Sequence, residues 1–277
     1  MTRQKELTVD LIHATPDAEE LLIFTKETRL LNDPEDYYKL LTISKEEKAE
    51  QFEKVFSSIS SPLEFVDFIF LISNVTRAFT HQLVRHRVGV AFAQQAQRVV
   101  NMAGFSYMIP DKILEAPEDA RIESIEGIST PISVYEGTMD MISDAYRTLH
   151  EDFDIPAQDA RGVLPTNVHT NILFKCNLRV LLEMCHIRMC VRAQGEFQKV
   201  VLAMRKEASQ VYPWVYDKMG PLCISKGICA FPVFDRCPIK AKRPWLNGPG
   251  KYELQQMRKE HAALMGKYEP QPLGDGK

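Results

Sequence analysis

SSPLEFVDFIFLISNVTRAFTHQLVRHR, residues 60–87, is the stretch on which the reading of this 277-residue chain turns. Ser60 and Ser61 offer an N-cap, Pro62 suits a first helical turn, and Glu64 follows close behind. Leu63, Phe65, Phe68, Ile69, Phe70, Leu71, Val75, Phe79 and Leu83 then cover nearly the whole circumference of a helix over 63–84. Such a pattern predicts a central, buried element. It runs directly into Arg85-His86-Arg87, and a core element ending in three basic side chains requires solvent or an anionic partner.

Outward from this stretch, residues 5–12 read as a short strand and 36–56 as helix. Residues 99–107 are expected to be extended, 110–131 form an acidic, proline-bounded connection, and 132–152 an amphipathic helix. After a break at 154–165, two further helices are predicted over 167–192 and 196–212. Residues 223–251 are irregular, 251–265 suggest a polar helix, and 266–277 a disordered tail. A few strands among long helices, without alternating strand–helix–strand spacing, give the α+β class. No glycine-rich phosphate motif is present, since Gly248-Pro249-Gly250-Lys251 has the wrong spacing.

The hydrophobic fraction of 45% and charged fraction of 26% are those of an ordinary globular protein, which excludes disordered, collagen-like and disulfide-scaffold classes. Thirty-four Lys and Arg against 37 Asp and Glu leave a net charge of −3, so nothing global points to nucleic acid or an anionic membrane. No apolar run approaches the roughly 20 residues of a membrane span. The first ten residues, MTRQKELTVD, lack the apolar segment of a secretory signal, and a cytoplasmic location is expected. The six cysteines are then expected to be thiols.

Any anion site must be a local concentration of arginines, and two occur. Arg85, His86, Arg87 and Arg98 enclose a stretch containing Gln94, Gln95 and Gln97. A solvated helix end, with cations opposing the C-terminal dipole, is the plainer account of this group. The second group is Arg161, Asn177, Arg179, Arg188 and Arg192, among which Glu183 is the only acid between Asp159 and Glu196. On a helix, Asn177, Arg188 and Arg192 fall within about 60° of one another, with Arg179 and Glu183 on the opposite side. Uncompensated guanidinium groups suit phosphate or a polarised carbonyl.

Arg85-His86-Arg87 followed by Ala91-Phe92-Ala93-Gln94-Gln95-Ala96-Gln97-Arg98 resembles the signature of flavin-dependent thymidylate synthases. Ala160-Arg161-Gly162-Val163-Leu164-Pro165, Asn177-Leu178-Arg179, Arg188 and Ala193-Gln194-x-Glu196 fall at that family's spacing, and Ser61-Pro62-Leu63-Glu64 resembles its upstream element. The likeness covers about residues 58–215. Ala96 replaces the family's serine, Val99 its tyrosine, Ala91 another common serine, Phe65 a histidine and Glu183 an asparagine; one extra residue lies within 88–90.

The resemblance implies a family fold with long central helices and a small mixed sheet, assembled as a homotetramer, with a catalytic domain over 1–217 and a cysteine-containing extension over 218–277. It implies that Ser61, Glu64, Arg85, His86, Arg87, Gln94, Asn177, Arg179, Glu183 and Arg192 serve FAD. Gln82, Gln94, Gln95, Ala96, Gln97, Arg98, Arg161 and Arg188 would serve the nucleotide, with Arg188 catalytic at the pyrimidine ring. The implied reaction is methylation of dUMP at C5, with methylenetetrahydrofolate as carbon donor and NADPH as reductant; UMP, a cytidine nucleotide, or an inactive nucleotide- or RNA-binding role are the alternatives. The apolar 63–84 helix and the two polar faces of 177–192 point the same way, to four subunits with shared sites.

Cys185, beside His186, and Cys190, close to Arg188 and Arg192, invite a thiolate mechanism, but free cysteines are more often packing residues. Cys223, Cys229 and Cys237 have the spacing C-x5-C-x7-C, which is not a zinc signature; with a distant ligand such as His261 they would make a metal site, and a redox-inert loop is the expectation, so no metal is assigned. His169 and His186 read as structural histidines.

Overall fold

In a computed structural model the described residues are 5–27, 33–56, 60–117, 119–124, 127–229, 231, 234 and 237. The expected helix over 251–265, the tail over 266–277 and the Gly248–Lys251 turn lie outside them. The elements are β1 (Thr8–Ala14), α1 (Ala18–Glu27), α2 (Pro34–Leu40), α3 (Lys45–Phe56), β2 (Asp67–Thr76), α4 (Arg77–Leu83), β3 (Val90–Gln94) and α5 (Asp111–Leu114). There follow β4 (Ile122–Ser124), β5 (Gly127–Ser129), α6 (Pro131–Arg147), α7 (Ala157–Ala160), β6 (His169–Asn177), α8 (Leu178–Arg188), α9 (Gly195–Val211), α10 (Val215–Lys218) and α11 (Leu222–Ser225).

The α+β class is as expected, but the long helices over 63–84 and 167–192 are not. Ser60–Pro62 starts only a single 3-10 turn, and residues 67–76 are a strand. Residues 169–177 are likewise a strand, and helix begins only at Leu178. The reason lies in the side chains: DFIFLISNVT is apolar on both strand faces, so periodicity alone does not separate strand from helix, and in HTNILFKCN only Asn171 and Lys175 alternate with Ile172, Phe174 and Cys176 to mark a period of two. Aromatic and β-branched residues, which fit a pleated surface, tip both toward strand.

These two strands form the centre of a four-stranded sheet of order β1-β2-β6-β3, antiparallel at every pairing rather than mixed. Phe70 pairs with Phe174, which pairs with Phe92 across the next ladder, and the Phe92 and Phe174 rings stack with centroids 5.3 Å apart. Phe68, Phe70, Ile72, Ile172, Phe174 and Cys176 are buried and join one core with Leu22, Val55, Phe79, Leu181, Phe197 and Met204 from the helices. Each such side chain contributes roughly 1.5–3 kcal/mol of burial free energy. The alternate positions Ile69, Leu71 and Leu173 face outward.

A second core gathers Met102, Phe105, Tyr107, Met139, Tyr146 and Val168 around α6. It draws on Val100, Met102, Ala103, Phe105 and Tyr107, and residues 99–107 are irregular rather than extended apart from the Tyr107–Val168 bridge. The Tyr146 hydroxyl accepts from the Met102 amide at 3.1 Å, and the His169 amide donates to the Ser106 carbonyl at 2.9 Å, which ties this core to β6. The acidic connection holds α5 and the β4–β5 hairpin.

Candidate active site

Both central strands pass directly into a helix, and each junction is sealed by the last strand residue. The Thr76 side chain accepts from the Phe79 amide at 2.9 Å, and the Asn177 side chain from the Val180 amide at 3.0 Å. These N-caps satisfy amides that a helix start leaves unpaired. Because Asp67 pairs with Asn177 and Thr76 with His169, the two junctions sit at opposite ends of the sheet. At the first, the buried Glu196 carboxylate accepts from the Thr76 amide at 2.7 Å and its hydroxyl at 2.6 Å; burial holds this carboxyl above its usual range, against the pull of those bonds.

Short α4 delivers Gln82 and then Arg85-His86-Arg87 before β3 begins. Arg85 and Arg87 are exposed, while His86 is half-buried with an Nε2 that has no partner. The turn is anchored at Gly89, whose carbonyl accepts from the Asn177 amide at 3.0 Å. Gly89 has φ +67°, and a Cβ there would come within 2.4 Å of Asn177 Nδ2, so only glycine lets the basic turn close against the cap of α8. The extra residue within 88–90 falls in this turn.

Arg188, at the end of α8, meets this region. Its Nη1 donates to Gln82 Oε1 at 3.4 Å, its guanidinium lies 4.3 Å from the Phe197 ring centroid, and its Nε is buried without a partner. Gln82 also donates to Gln194. Burial, and then the Arg188 charge, push His86 below the ordinary imidazole value, against Glu183. A neutral imidazole and a half-buried, incompletely bonded cation are thus presented side by side.

At the other junction end, the Arg77 guanidinium donates to the Gln95 carbonyl at 2.7 Å, and burial, then Arg161, depress its pKa. Gln94 donates to Thr80 Oγ1 at 3.0 Å. Gln97 has a buried, unpartnered Nε2, whereas Ala96, Arg98 and Arg161 are exposed and Val99 is 73% exposed. Arg161 Nε donates to the Gln158 carbonyl at 3.1 Å. Arg77 was not singled out in the sequence; its signal is its position one residue after a Thr that caps toward Phe79. Glu196, present in the motif without a role, is the lock on that cap.

Other expected site residues are engaged differently. Arg179, read as uncompensated, pairs with Glu64 at 2.5 Å and Glu183 at 3.2 Å, while Ser61 is exposed in the turn before Glu64. Arg192 is exposed, its guanidinium over the rings of Phe231 and Phe234. Among the described residues, Arg85, Arg87, Arg98, Arg161, Arg188 and Arg192 form no ion pair. The fold thus brings Gln82, His86 and Arg188 together, Glu64, Arg179 and Glu183 together, and Arg161 toward Arg77. It leaves Arg85, Arg87 and Arg98 reaching into solvent.

Cys176 and Cys185 are fully buried, and burial pushes both thiols well up, which removes Cys185 as a nucleophile. His169 is buried, and burial followed by Lys5 lowers its pKa to about 4. A large open groove of about 670 Å³ lies elsewhere, between α6 and the β4–β5 hairpin; it is lined by apolar groups such as Ile122, Val134 and Met139 and holds none of these site residues. No helix among the described residues is long and apolar enough to cross a membrane.

The family described as "Thymidylate synthase complementing protein" matches residues 10–214. A flavin-dependent thymidylate synthase of Clostridium tetani is 30% identical over 223 residues, covering 78% of this chain and 88% of the relative. One of Geobacter sulfurreducens is 36% identical over 167 residues, covering 60% and 66%. The fold is shared with PolB of Streptomyces cacaoi, a UMP/dUMP methylase bound with 5-Br dUMP, at TM-score 0.61 and 18% identity over 79% of this chain and 96% of that one. It is shared also with thymidylate synthase X of Helicobacter pylori, solved with FAD and dUMP, at TM-score 0.55 and 16% identity over 77% and 99%. The chain belongs to the flavin-dependent thymidylate synthase family and is an enzyme of that class.

Proposed function

We propose that this enzyme methylates dUMP at C5 to dTMP, with methylenetetrahydrofolate as carbon donor and NADPH as reductant of bound FAD. The observation that carries the reading is the junction of the basic turn with the end of α8: exposed, unpaired Arg85 and Arg87 flank the free Nε2 of His86, beside the half-buried Arg188. These donors suit a flavin and a nucleotide, because forked guanidinium groups match phosphate oxygens and each charge-assisted bond contributes roughly 1.5–3 kcal/mol. The H. pylori relative's structure holds FAD and dUMP.

Arg85, His86 and Arg87 would hold the flavin, with Ser61, Glu64, Gln94, Asn177, Arg179, Glu183 and Arg192 around it. The chemistry it supplies when bound is transfer of reducing equivalents from NADPH to the one-carbon unit. Gln82, Gln94, Gln95, Gln97, Arg98 and Arg161 would hold the nucleotide beside Ala96. Arg188, oriented by Gln82 and stacked on Phe197, would stabilise negative charge on the pyrimidine carbonyl as C5 becomes nucleophilic, with no covalent protein nucleophile. Its burial strengthens that field.

Arg98 and Arg161 are exposed and without an ion pair among the described residues, which leaves them open to groups of neighbouring subunits and supports a homotetramer with shared sites. Phe68, Phe70, Ile72 and Val75 line this chain's own core rather than an all-apolar helix, and the outward Ile69, Leu71 and Leu173 are the apolar groups left for neighbouring subunits. UMP is the second reading of the substrate. Val99, exposed where the family carries tyrosine, leaves room beside the sugar, and the S. cacaoi relative is a UMP/dUMP methylase. Incubation of the protein with FAD, NADPH, methylenetetrahydrofolate and dUMP, UMP or dCMP, with mass analysis of the nucleotide, tests both. Methylated dUMP as the main product is expected; no methylated nucleotide from any of the three would reject the reading.

A further inference from the structure

We propose that Cys190, Cys223, Cys229 and Cys237 together hold one zinc ion that fastens the C-terminal segment to the end of α8. In the sequence, the C-x5-C-x7-C pattern lacks a fourth ligand. The fold supplies one from elsewhere: Cys190, in the connection between α8 and α9.

Three contacts bring the four residues to one corner. Helix α11, which carries Cys223, packs against α8. Lys226 follows α11 and lies near His186 of α8, whose pKa is lowered by burial and then by the Lys226 charge. Beyond it Phe231 and Phe234 lie against Arg192, whose guanidinium is 4.6 Å from the Phe231 ring centroid and 5.2 Å from that of Phe234. Cys229 lies two residues before Phe231, Cys237 three after Phe234, and Cys190 two before Arg192. All four are free thiols, each partly buried. Cys190, Cys229 and Cys237 all lie within electrostatic reach of the Cys223 thiol.

The segment also needs a fastening. Among the described residues after Pro221, no aliphatic or aromatic side chain is buried, so these residues lie at the surface without a core of their own. A metal contributes folding free energy where burial cannot. Four cysteines select a thiophilic cation, and zinc takes them tetrahedrally at about 2.3 Å. On binding, four thiols release four protons and the site becomes a dianion, which Arg192 and Lys226 stand beside to offset. Among the described residues no three His, Cys, Asp or Glu side chains are already set in metal-holding positions. Binding therefore draws the sulfurs together, and α11, four residues long, is the only regular element among the described residues of 220–237.

The inference stands apart from the flavin reading and is tested on the full chain. Purified without added metal or chelator, it should carry one zinc per chain by elemental analysis, with four sulfur neighbours at about 2.3 Å in X-ray absorption. Exchange with Co²⁺ should give the thiolate-to-metal charge-transfer bands of a four-sulfur site, and Cys190→Ser and Cys237→Ser should each lose them. If those variants fail to fold, the unmodified protein decides. A metal-free chain whose thiols react equally with and without added Zn²⁺ would overturn the proposal. So would a disulfide among the four cysteines, nitrogen or oxygen neighbours in place of sulfur, or an unchanged cobalt spectrum in folded Cys190→Ser.

Discussion

The β2–α4 and β6–α8 units are built alike, each a central strand running into an N-capped helix, yet they deliver their cations differently. Helix α4 has 7 residues and ends in a turn that leaves Arg85 and Arg87 in solvent. Helix α8 has 11, and ends with Arg188 half-buried on Phe197 with one nitrogen unpaired. Solvent-exposed guanidinium groups suit recognition of phosphate, where two charges must find each other. A cation drawn out of water suits stabilisation of charge that appears only during reaction, because its field is less screened. The proposed roles follow this difference in exposure.

The largest effect expected from this contrast is on turnover. Arg188→Ala should lose about 10²–10³ in kcat with little change in nucleotide affinity, the range for removing one preorganised donor. A steady-state comparison that put the whole loss in KM would make Arg188 a binding residue like Arg85 and erase the distinction. Next is the contact between the units. Gly89→Ala combines a left-handed backbone with overlap on the Asn177 cap and should destabilise by about 3 kcal/mol in urea unfolding. Gly104→Ala, at φ +66° in open space, should cost only about 1 kcal/mol, so equal losses would show that the overlap is relieved.

A buried histidine marks the α4 end of the sheet. His169 pairs with Thr76 and titrates at about 4 when folded, against about 6.5 when unfolded. Between those values the unfolded chain holds a proton that the folded chain refuses, so this contribution is intact above about pH 6.5 and fades as pH falls toward 4. From pH 7 to 5 the wild type should lose about 2 kcal/mol more stability than His169→Gln. The smallest difference concerns the caps. Loss of a cap costs about 1 kcal/mol, but Thr76→Ala also strips one bond from buried Glu196 and should exceed Asn177→Ala by about 1 kcal/mol.

The chemistry-bearing residues were more legible than the elements that carry them. Arg85–Arg87, Arg98, Arg161 and Arg188 stand out because basic side chains are rare among apolar neighbours. The α9 helix, with its one apolar face, was readable within a residue or two. The strand at 67–76 was not, because both its faces are apolar and the period-2 signal vanishes, and the one at 169–177 carried only a short alternation, Asn171 and Lys175 against Ile172, Phe174 and Cys176; Thr76 and Asn177, the polar caps at the strand ends, are the signals that would have divided strand from helix. Compensation of Arg179 by Glu183, four residues on, was readable, but that by Glu64 was hidden because it lies 115 residues away in sequence. Glu196 was visible as a letter in the motif, but its bond to Thr76 depends on tertiary packing.

The central claim is that the basic turn between α4 and β3 holds a flavin, and equilibrium titration with FAD tests it most directly. Two charge-assisted contacts of at least about 1.5 kcal/mol each correspond to about 10²-fold in affinity. The wild-type chain should shift the visible flavin spectrum and melt higher with FAD. Arg85→Ala/Arg87→Ala should keep its circular dichroism and bind about 10²-fold more weakly. Saturating FAD that leaves the wild-type melting and the flavin spectrum unchanged, or equal binding by the double variant, would contradict the account.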